Sequence, residues 1–125
     1  MFGNNNAFSS FAVDDIAKAK EFYGQTLGIK TTEEPMGILL LHFSNGQQIV
    51  IYPKSDYQPA VFTLLNFPVD DIDKAVDDLI ARGISIVTYD DFEHDEKGIM
   101  RGDEGPFIAW FEDPAGNILS VLQDR

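Results

Sequence analysis

The sequence predicts an α+β fold of two tandem βαβββ modules, whose mixed sheets curve into a cup with the helices outside. The first observation is a repeat: residues 11–19 read FAVDDIAKA and residues 67–75 read FPVDDIDKA, which agree at seven of nine positions. The second is that each copy changes from alternating to helical spacing, as a strand that enters a helix does. A chain of 125 residues is near the most common domain size. We therefore expect one domain with modules at 1–57 and 58–125.

Each module is predicted to contain one helix. Asp14 and Asp70 are placed to cap the two helices, because an aspartate side chain accepts hydrogen bonds from the first free backbone amides. Gly28 and Gly83 can adopt the left-handed conformation that ends a helix. Between these limits apolar residues recur at spacings of three and four. They are Ile16, Ala19, Phe22 or Tyr23, and Leu27 in the first helix, and Ile72, Ala75, Leu79 and Ile80 in the second.

Strand-like segments precede and follow each helix. In the first strand Phe8, Ser10 and Ala12 alternate with residues of the opposite face. Asn45-Gly46 is a strong hairpin signal, and residues 113–117, DPAGN, predict a turn between the last two strands. The strands expected after the helices span 29–34, 37–43, 47–53, 84–90, 106–112 and 117–123. Residues 92–105, FEHDEKGIMRGDEG, show no periodicity and predict one long surface loop.

Composition and charge limit the classes of function. The chain has no cysteine, so it can form neither a disulfide nor a thiolate metal site. Its net charge of −12 would repel phosphate backbones and anionic lipids, and we expect neither nucleic acid nor membrane as a partner. The acidity either serves solubility alone or attracts a cationic ligand. The start of the chain lacks the apolar stretch of a secretory signal, so we expect a cytoplasmic protein.

Two segments carry a resemblance to a known family. FAVDDIAKAKEFYGQTLGI near the start and FEDPAGNILSVLQ near the end, set in paired βαβββ modules, resemble the vicinal oxygen chelate superfamily. It includes glyoxalase I, fosfomycin resistance enzymes, extradiol dioxygenases and bleomycin resistance proteins. The resemblance spans nearly the whole chain and implies a homodimer. Since the matching residues build a helix and a hairpin, they do not settle the chemistry.

The resemblance also implies a divalent metal inside the cup, held by His, Gln or Glu on the first and last strands of each module. At the matching positions this chain has Phe8, Val50, Leu64 and Ser120. Phe, Val and Leu have no lone pair, and one neutral hydroxyl cannot hold a cation that normally needs several protein donors. We therefore expect no metal and no other cofactor.

A cup without a metal can still bind a small molecule. Trp110 alternates with Ile108 and Glu112, and the resemblance places a ligand-contacting aromatic residue here, although packing in the core would explain it equally well. If Trp110 faces inward, the expected pocket is mostly apolar with a few polar groups, as small-molecule sites commonly are. Its residues are Phe8, Val50, Leu64 and Trp110 with Ser10, Tyr52, Asn66 and Ser120. Tyr52 and Asn66 are expected to orient the ligand.

The two histidines offer no obvious catalytic arrangement. If Asn45-Gly46 forms a two-residue turn, His42 pairs with Ile49 on the helix side, while Leu41 and Val50 share the cup side; a bulge would reverse this. His94 lies in an acidic run that is either a solvated loop or a collector of hard cations.

The function predicted from these observations is small-molecule binding or sequestration without a metal, as the resemblance to bleomycin resistance proteins implies. One alternative is a lyase, isomerase or dioxygenase-type enzyme of the same superfamily with an atypical metal or a metal-free site. The other is a module whose sheet serves as an interaction or regulatory surface. The adjacent pairs Asp14-Asp15 and Asp70-Asp71 are explained by helix capping without acid–base chemistry.

Overall fold

The computed structural model describes residues 1–125. It contains two α-helices and seven strands in two mixed sheets, which confirms the predicted α+β class, and neither sheet closes into a barrel. The chain divides into two compact units, Met1–Gln58 and Pro59–Arg125. None of its helices combines the length and the apolar character needed to cross a bilayer.

The first unit has one helix packed on a four-stranded sheet. The strand order is β1-β4-β3-β2, with β1 parallel to β4 and the other neighbours antiparallel. Its elements are β1 (Ser9–Val13), α1 (Ile16–Lys20), β2 (Lys30–Glu34), β3 (Ile38–His42) and β4 (Gln48–Pro53). All four strands fall where the sequence predicted them.

The second unit repeats this arrangement with one strand fewer. The strand order is β5-β7-β6, with β5 parallel to β7 and β7 antiparallel to β6. Its elements are β5 (Thr63–Pro68), α2 (Ile72–Ala81), β6 (Phe107–Glu112) and β7 (Ile118–Gln123). The unit's first strand therefore pairs with its last in the parallel sense, as β1 pairs with β4.

The strand predicted at 84–90 is wrong. Only Val87 pairs with β6, through its amide, which donates to the carbonyl oxygen of Trp110 at 2.8 Å. The chain then turns away, and Met100 forms the next bridge, with Ile108. Two short segments thus share the edge of β6 in place of a continuous strand.

The first helix widens after Lys20. Residues Glu21–Thr26 form a π-helical turn, in which the amide of Leu27 donates to the carbonyl oxygen of Phe22 at 2.9 Å. The wider turn lets Phe22 and Tyr23 both face the core, where Phe22 is 9% exposed and Tyr23 is fully buried. Their rings meet edge to face at 5.1 Å. The sequence left open which of the two belongs to the apolar stripe, and the structure uses both.

The predicted helix caps are each displaced by one residue. Asp15 and Asp71, rather than Asp14 and Asp70, adopt the extended cap conformation, and their carboxylates accept from the third amide beyond, at 3.1 Å in both helices. Two adjacent aspartates have the same capping propensity. In the second unit the helix starts at Ile72, which is fully buried, and Asp71 therefore occupies the cap position. The left-handed glycines Gly28 and Gly83 follow the helices as predicted, with φ of 74° and 84°.

Each helix covers one face of its sheet. In the first unit α1 packs on the strands β3 and β4, and the covered face consists of Phe11, Val13, Leu39, Leu41, Ile49 and Ile51. In the second unit α2 packs on β6 and β7, and the covered face includes Ala109, Phe111, Leu119 and Val121. The buried residues of α2 are Ile72, Val76 and Leu79, whereas Ile80, which the sequence placed in the stripe, is 51% exposed. Val76 belongs to the buried apolar stripe of α2, and Ile80 lies at the margin of that stripe.

The segment 92–105 contains no helix or strand and is a loop, as the sequence predicted, but side-chain contacts hold part of it in place. Asp95 closes a turn by accepting from the amides of Lys97 and Ile99, each at 2.9 Å, and Ile99 is fully buried. Ion pairs then attach this turn to α2. Arg101 Nη2 lies 2.8 Å from both carboxylate oxygens of Asp73, and Lys97 Nζ lies 3.1 Å from Asp77 Oδ1. The charges that suggested a solvated loop instead connect the segment to the helix.

Replacing Asp71 with alanine is expected to lower the free energy of unfolding by about 1 kcal/mol, because the amide of Lys74 loses its acceptor. The matched control is Asp70→Ala, a surface substitution expected to change that free energy by less than about 0.5 kcal/mol. Urea denaturation followed by circular dichroism measures both values. Equal losses in the two variants would contradict the assignment of the cap to Asp71.

The Arg101→Gln substitution is expected to lower the melting temperature at pH 6, and this difference should shrink once the pH falls below about 3.8, toward the lower pKa of Asp73 in the folded protein. The hydrogen bond from Arg101 holds the pKa of Asp73 below its usual value. A carboxylate with a depressed pKa in the folded state stabilises fully above its unfolded pKa and loses that effect as the pH falls through the folded pKa. Thermal denaturation between pH 2 and 6 measures the difference.

Lys18→Gln is the control for that experiment, because it removes one exposed positive charge that forms no ion pair. Its effect on the melting temperature should show no step near the pKa of Asp73. If the deficit of Arg101→Gln stays constant down to the lowest pH at which both proteins fold, Arg101 does not act through Asp73.

Candidate functional site

The hairpin between β3 and β4 decides which residues face away from α1. Its loop contains three residues, 44–46: the amide of Phe43 donates to the carbonyl oxygen of Gln47 at 3.0 Å, and Gly46 has φ of 88°. His42 therefore pairs with Gln48, and Leu40 pairs with Val50. The expectation for a two-residue turn is wrong, because the extra residue shifts the pairing by one position and reverses the faces.

We call the side of the first sheet opposite α1 the first open face. His42 and Val50 share it, whereas Leu41 and Ile49 lie beneath the helix. Both ring nitrogens of His42 have partners: Nε2 lies 2.7 Å from Thr32 Oγ1, and Nδ1 lies 3.2 Å from Gln48 Nε2. If the Gln48 amide donates to Nδ1, Nε2 carries the proton and donates to Thr32. These contacts give His42 a structural role in a cross-strand cluster. The cluster lies on the open face, whereas the sequence favoured the helix side.

Three of the predicted ligand residues of the first unit lie on this open face. Ser10 pairs with Val50 across the parallel strands, and Tyr52 is two positions farther along β4, paired with Ala12. Tyr52 is 38% exposed. Phe8 precedes β1 and is 67% exposed. The first unit therefore brings together Ser10, Val50 and Tyr52, with Phe8 at the edge of the group.

The second open face, on the side of the second sheet opposite α2, contains a row of three predicted residues. Asn66 on β5, Ser120 on β7 and Trp110 on β6 are direct cross-strand partners. The Ser120 hydroxyl donates to Asn66 Oδ1 at 2.6 Å, and Trp110 Nε1 donates to Thr63 Oγ1 at 3.2 Å. Ser120 is fully buried, whereas Asn66 is exposed.

Leu64 is also a predicted ligand residue, but strand alternation does not assign its side chain to either face of the sheet. The register between β5 and β7 shifts between Thr63 and Leu65, so Leu64 occupies an irregularity of the strand. An extra residue at such a point re-aims the neighbouring side chains. This bulge brings Thr63 onto the same face as Asn66, where it reaches the indole of Trp110.

Two aromatic residues beside Trp110 were missed by the sequence analysis. Tyr89 meets the indole edge to face with ring centroids 5.3 Å apart, and Phe92 stacks on it at 5.7 Å with an interplanar angle of 25°. The Tyr89 hydroxyl is buried without a hydrogen-bond partner. Burial, and secondarily the charge of Glu112, raises the pKa of Tyr89. The sequence did contain a signal, since two aromatic residues three positions apart in YDDF fit a turn that presents both rings to one side.

The residues present do not fit a divalent metal at the positions that the resemblance implies. Phe8, Val50 and Leu64 offer no donor atom, and the Ser120 hydroxyl is engaged with Asn66. Nowhere do three His, Cys, Asp or Glu side chains come close enough together to share an ion. His94 makes only a long contact, 3.5 Å, with the carbonyl oxygen of Phe92.

Each unit has a shallow hollow at its surface, and the first of them adjoins the hairpin end of the first open face. A hollow of about 460 Å³ near the β3–β4 hairpin is lined by Phe8 among others. Another, of about 320 Å³, lies where β5 enters α2 and is lined by residues such as Val69 and Gln123. Apart from Phe8, none of the predicted ligand residues lines these hollows.

Comparison with known proteins identifies the family. The model of the Glyoxalase/Bleomycin resistance protein/Dioxygenase superfamily matches residues 7–121. The chain belongs to this superfamily. A comparison with curated protein sequences finds no match.

Solved structures of this superfamily share the fold. A member from Sphaerobacter thermophilus has a TM-score of 0.71 at 23% identity, over 94% of this chain and 97% of that one. A lactoylglutathione lyase from Agrobacterium tumefaciens has a TM-score of 0.68 at 20% identity, over 94% and 92%. A glyoxalase/dioxygenase from Nostoc punctiforme has a TM-score of 0.70 at 15% identity, over 99% and 94%. At these identities the likeness shows the fold alone.

The Ser120→Ala substitution is expected to lower the free energy of unfolding by about 1 kcal/mol, because the hydrogen bond to Asn66 is lost in a buried setting. Ser10→Ala, at an exposed position of the first open face, should change that free energy by less than about 0.5 kcal/mol. Urea denaturation of both variants measures the difference. If the Ser120→Ala protein is as stable as the natural chain, the hydrogen bond between Ser120 and Asn66 does not stabilise the folded second unit.

Proposed function

We propose that this protein binds a small organic molecule without using a metal ion, and that the ligand lies on the second open face. The observation that carries the proposal is the row of Asn66, Ser120 and Trp110. At the position where the resemblance implies a metal-binding carboxylate, the chain has a hydroxyl that donates to an amide oxygen. That exchange replaces a cation site by a neutral hydrogen-bonding site.

Asn66 is suited to orient a ligand. Its carbonyl oxygen accepts from Ser120, which holds the amide plane in one orientation and leaves the amide nitrogen without a partner. Because Asn66 is exposed, that nitrogen can donate to an acceptor on a bound molecule. Trp110 supplies the neighbouring apolar surface, with its indole nitrogen already satisfied by Thr63. A few polar groups on a mostly apolar surface are the usual composition of a small-molecule site.

We propose separately that Tyr52 can orient a small molecule bound to the first open face. Its phenol is partly exposed, and Val50 and Ser10 on the same face supply an apolar and a polar neighbour. The net charge of −12 favours a cationic ligand. Sequestration of the ligand, as the name bleomycin resistance protein suggests for some relatives, is the proposed mode of action. The homodimer, the cytoplasmic location and the absence of nucleic-acid and membrane partners remain predictions.

A thermal-denaturation screen against metabolites and antibiotics is expected to find a ligand that raises the melting temperature. Binding to the folded state at about 100 times the Kd stabilises a protein by about 2.7 kcal/mol. Asn66→Ala should lower the affinity for that ligand roughly tenfold, because one hydrogen bond is lost. Asn4→Ala, an exposed asparagine near the start of the chain, is the matched control and should leave the stabilisation unchanged.

A second experiment distinguishes metal-free binding from metal-dependent catalysis. Native mass spectrometry of the purified protein should show the mass of the polypeptide without a stoichiometric divalent ion. A tightly bound ion that is retained through dialysis would reject the proposal and favour a lyase, isomerase or dioxygenase-type enzyme with an atypical site. Equal affinity of Asn66→Ala and the natural chain would reject the assigned role of Asn66.

A further inference from the structure

Trp110 is held by a tight turn that carries two aromatic rings. The amide of Phe92 donates to the carbonyl oxygen of Tyr89 at 3.1 Å, which closes a turn over residues 89–92. The bridge between Val87 and Trp110 places this turn beside β6. Both rings contact the indole: that of Tyr89 is nearly perpendicular to it and that of Phe92 is stacked on it. The turn therefore controls access to the ring that the proposed function uses as its apolar surface.

The Tyr89 hydroxyl is the unusual group in this cluster. It is the one buried side-chain nitrogen or oxygen in the structure that has no hydrogen-bond partner. Burying a donor without an acceptor is unfavourable, and most such groups in proteins are satisfied. The raised pKa of Tyr89 keeps the hydroxyl protonated well above neutral pH. An acceptor atom brought beside the indole would remove this unfavourable arrangement.

Phe92 occupies the place that a planar ligand would take. Its ring centroid is 5.7 Å from that of Trp110, whereas a third ring inserted between two others needs about 7 Å, twice a contact distance of about 3.5 Å. A planar ligand must therefore replace Phe92 rather than insert beside it. Phe92 is 48% exposed, and the ligand ring would cover the indole surface that the Phe92 ring uncovers when it moves away.

The charges around this cluster are negative. Asp90 and Asp91 form the middle of the turn and are exposed, and Glu112 follows Trp110 at alternate spacing on the same strand face. A cation on an aromatic face is attracted by the ring itself, most strongly by tryptophan. The carboxylates and the indole thus both favour a positively charged ligand.

We propose that Trp110 binds a planar cationic ring that bears a hydrogen-bond acceptor, that this ring replaces Phe92 on the indole, and that the Tyr89 hydroxyl donates to the acceptor. The inference rests on the proposed function and specifies its ligand class. Tyr89 is a ligand-binding residue in this account, and Phe92 is the ring that the ligand displaces.

The probe for the test is 1-methylnicotinamide, a small planar cation with a carbonyl acceptor. Trp110 is the only tryptophan, so its fluorescence reports contact directly. The probe should quench this fluorescence saturably. Tyr89→Phe, which keeps the ring and removes the hydroxyl, should weaken binding roughly tenfold, and Phe92→Ala should tighten it about three- to tenfold. The two substitutions thus act in opposite directions.

A second ligand and a stability measurement serve as controls. 1-Methylpyridinium has the same charged ring without the carbonyl group, so Tyr89→Phe should leave its binding unchanged. Tyr89→Phe should also melt no lower than the natural chain, because it removes an unpaired buried hydroxyl. Lower affinity in this variant would then reflect the lost donor and not a disturbed fold.

Three results would overturn the inference. The first is fluorescence quenching that rises linearly with probe concentration in every variant. The second is an equal loss of affinity for both probes in Tyr89→Phe, and the third is weaker binding of 1-methylnicotinamide to Phe92→Ala. None of these tests the broader function, which depends on Asn66 and on the ligand found by thermal screening. If that ligand depends on Asn66 while the cation does not bind saturably, the function stands and only the ligand class is wrong.

Discussion

The position of β7 between β5 and β6 is the constraint on which the second unit depends. Its parallel pairing with β5 and antiparallel pairing with β6 place Ser120 between Asn66 and Trp110. Side chains on neighbouring strands that pair directly share one face of a sheet. A shift by one residue in either pairing would turn Ser120 toward α2 and separate Asn66 from Trp110. The chemistry of the second open face is therefore a consequence of strand register.

A family fold need not bring the family chemistry with it. The helix and hairpin residues that carry the resemblance determine how the sheet is built, whereas metal binding depends on the donor atoms of a few other side chains. At the positions where the resemblance implies metal ligands, this chain has Phe8, Val50, Leu64 and Ser120, and Ser120 forms a neutral hydrogen bond. In this chain the second open face presents a tryptophan and an amide in place of a set of metal ligands.

The acidic character of the chain has two different structural roles. Around Asp95, carboxylates accept from backbone amides and from Arg101, which connects the segment after residue 92 to α2. Burial acts to raise the pKa of Asp95, but the hydrogen bonds from Ile99, Arg101 and Lys97 hold it below its usual value. Asp90 and Asp91, by contrast, remain exposed beside the aromatic cluster. Charge counted along a sequence cannot separate these roles, because the partners of Asp95 lie on other elements.

The sequence alone determined the α+β class, the strand-to-helix repeat, the glycines that end both helices and the poor fit to a metal. These follow from local spacing and from the donor atoms of single side chains. Only the tertiary structure decided the cap between adjacent aspartates, the face of His42 and the surroundings of Trp110. The physical reason is register: one extra residue in the β3–β4 loop reverses every side chain beyond it, and the contact of Tyr89 with Trp110 joins segments that no local pattern connects.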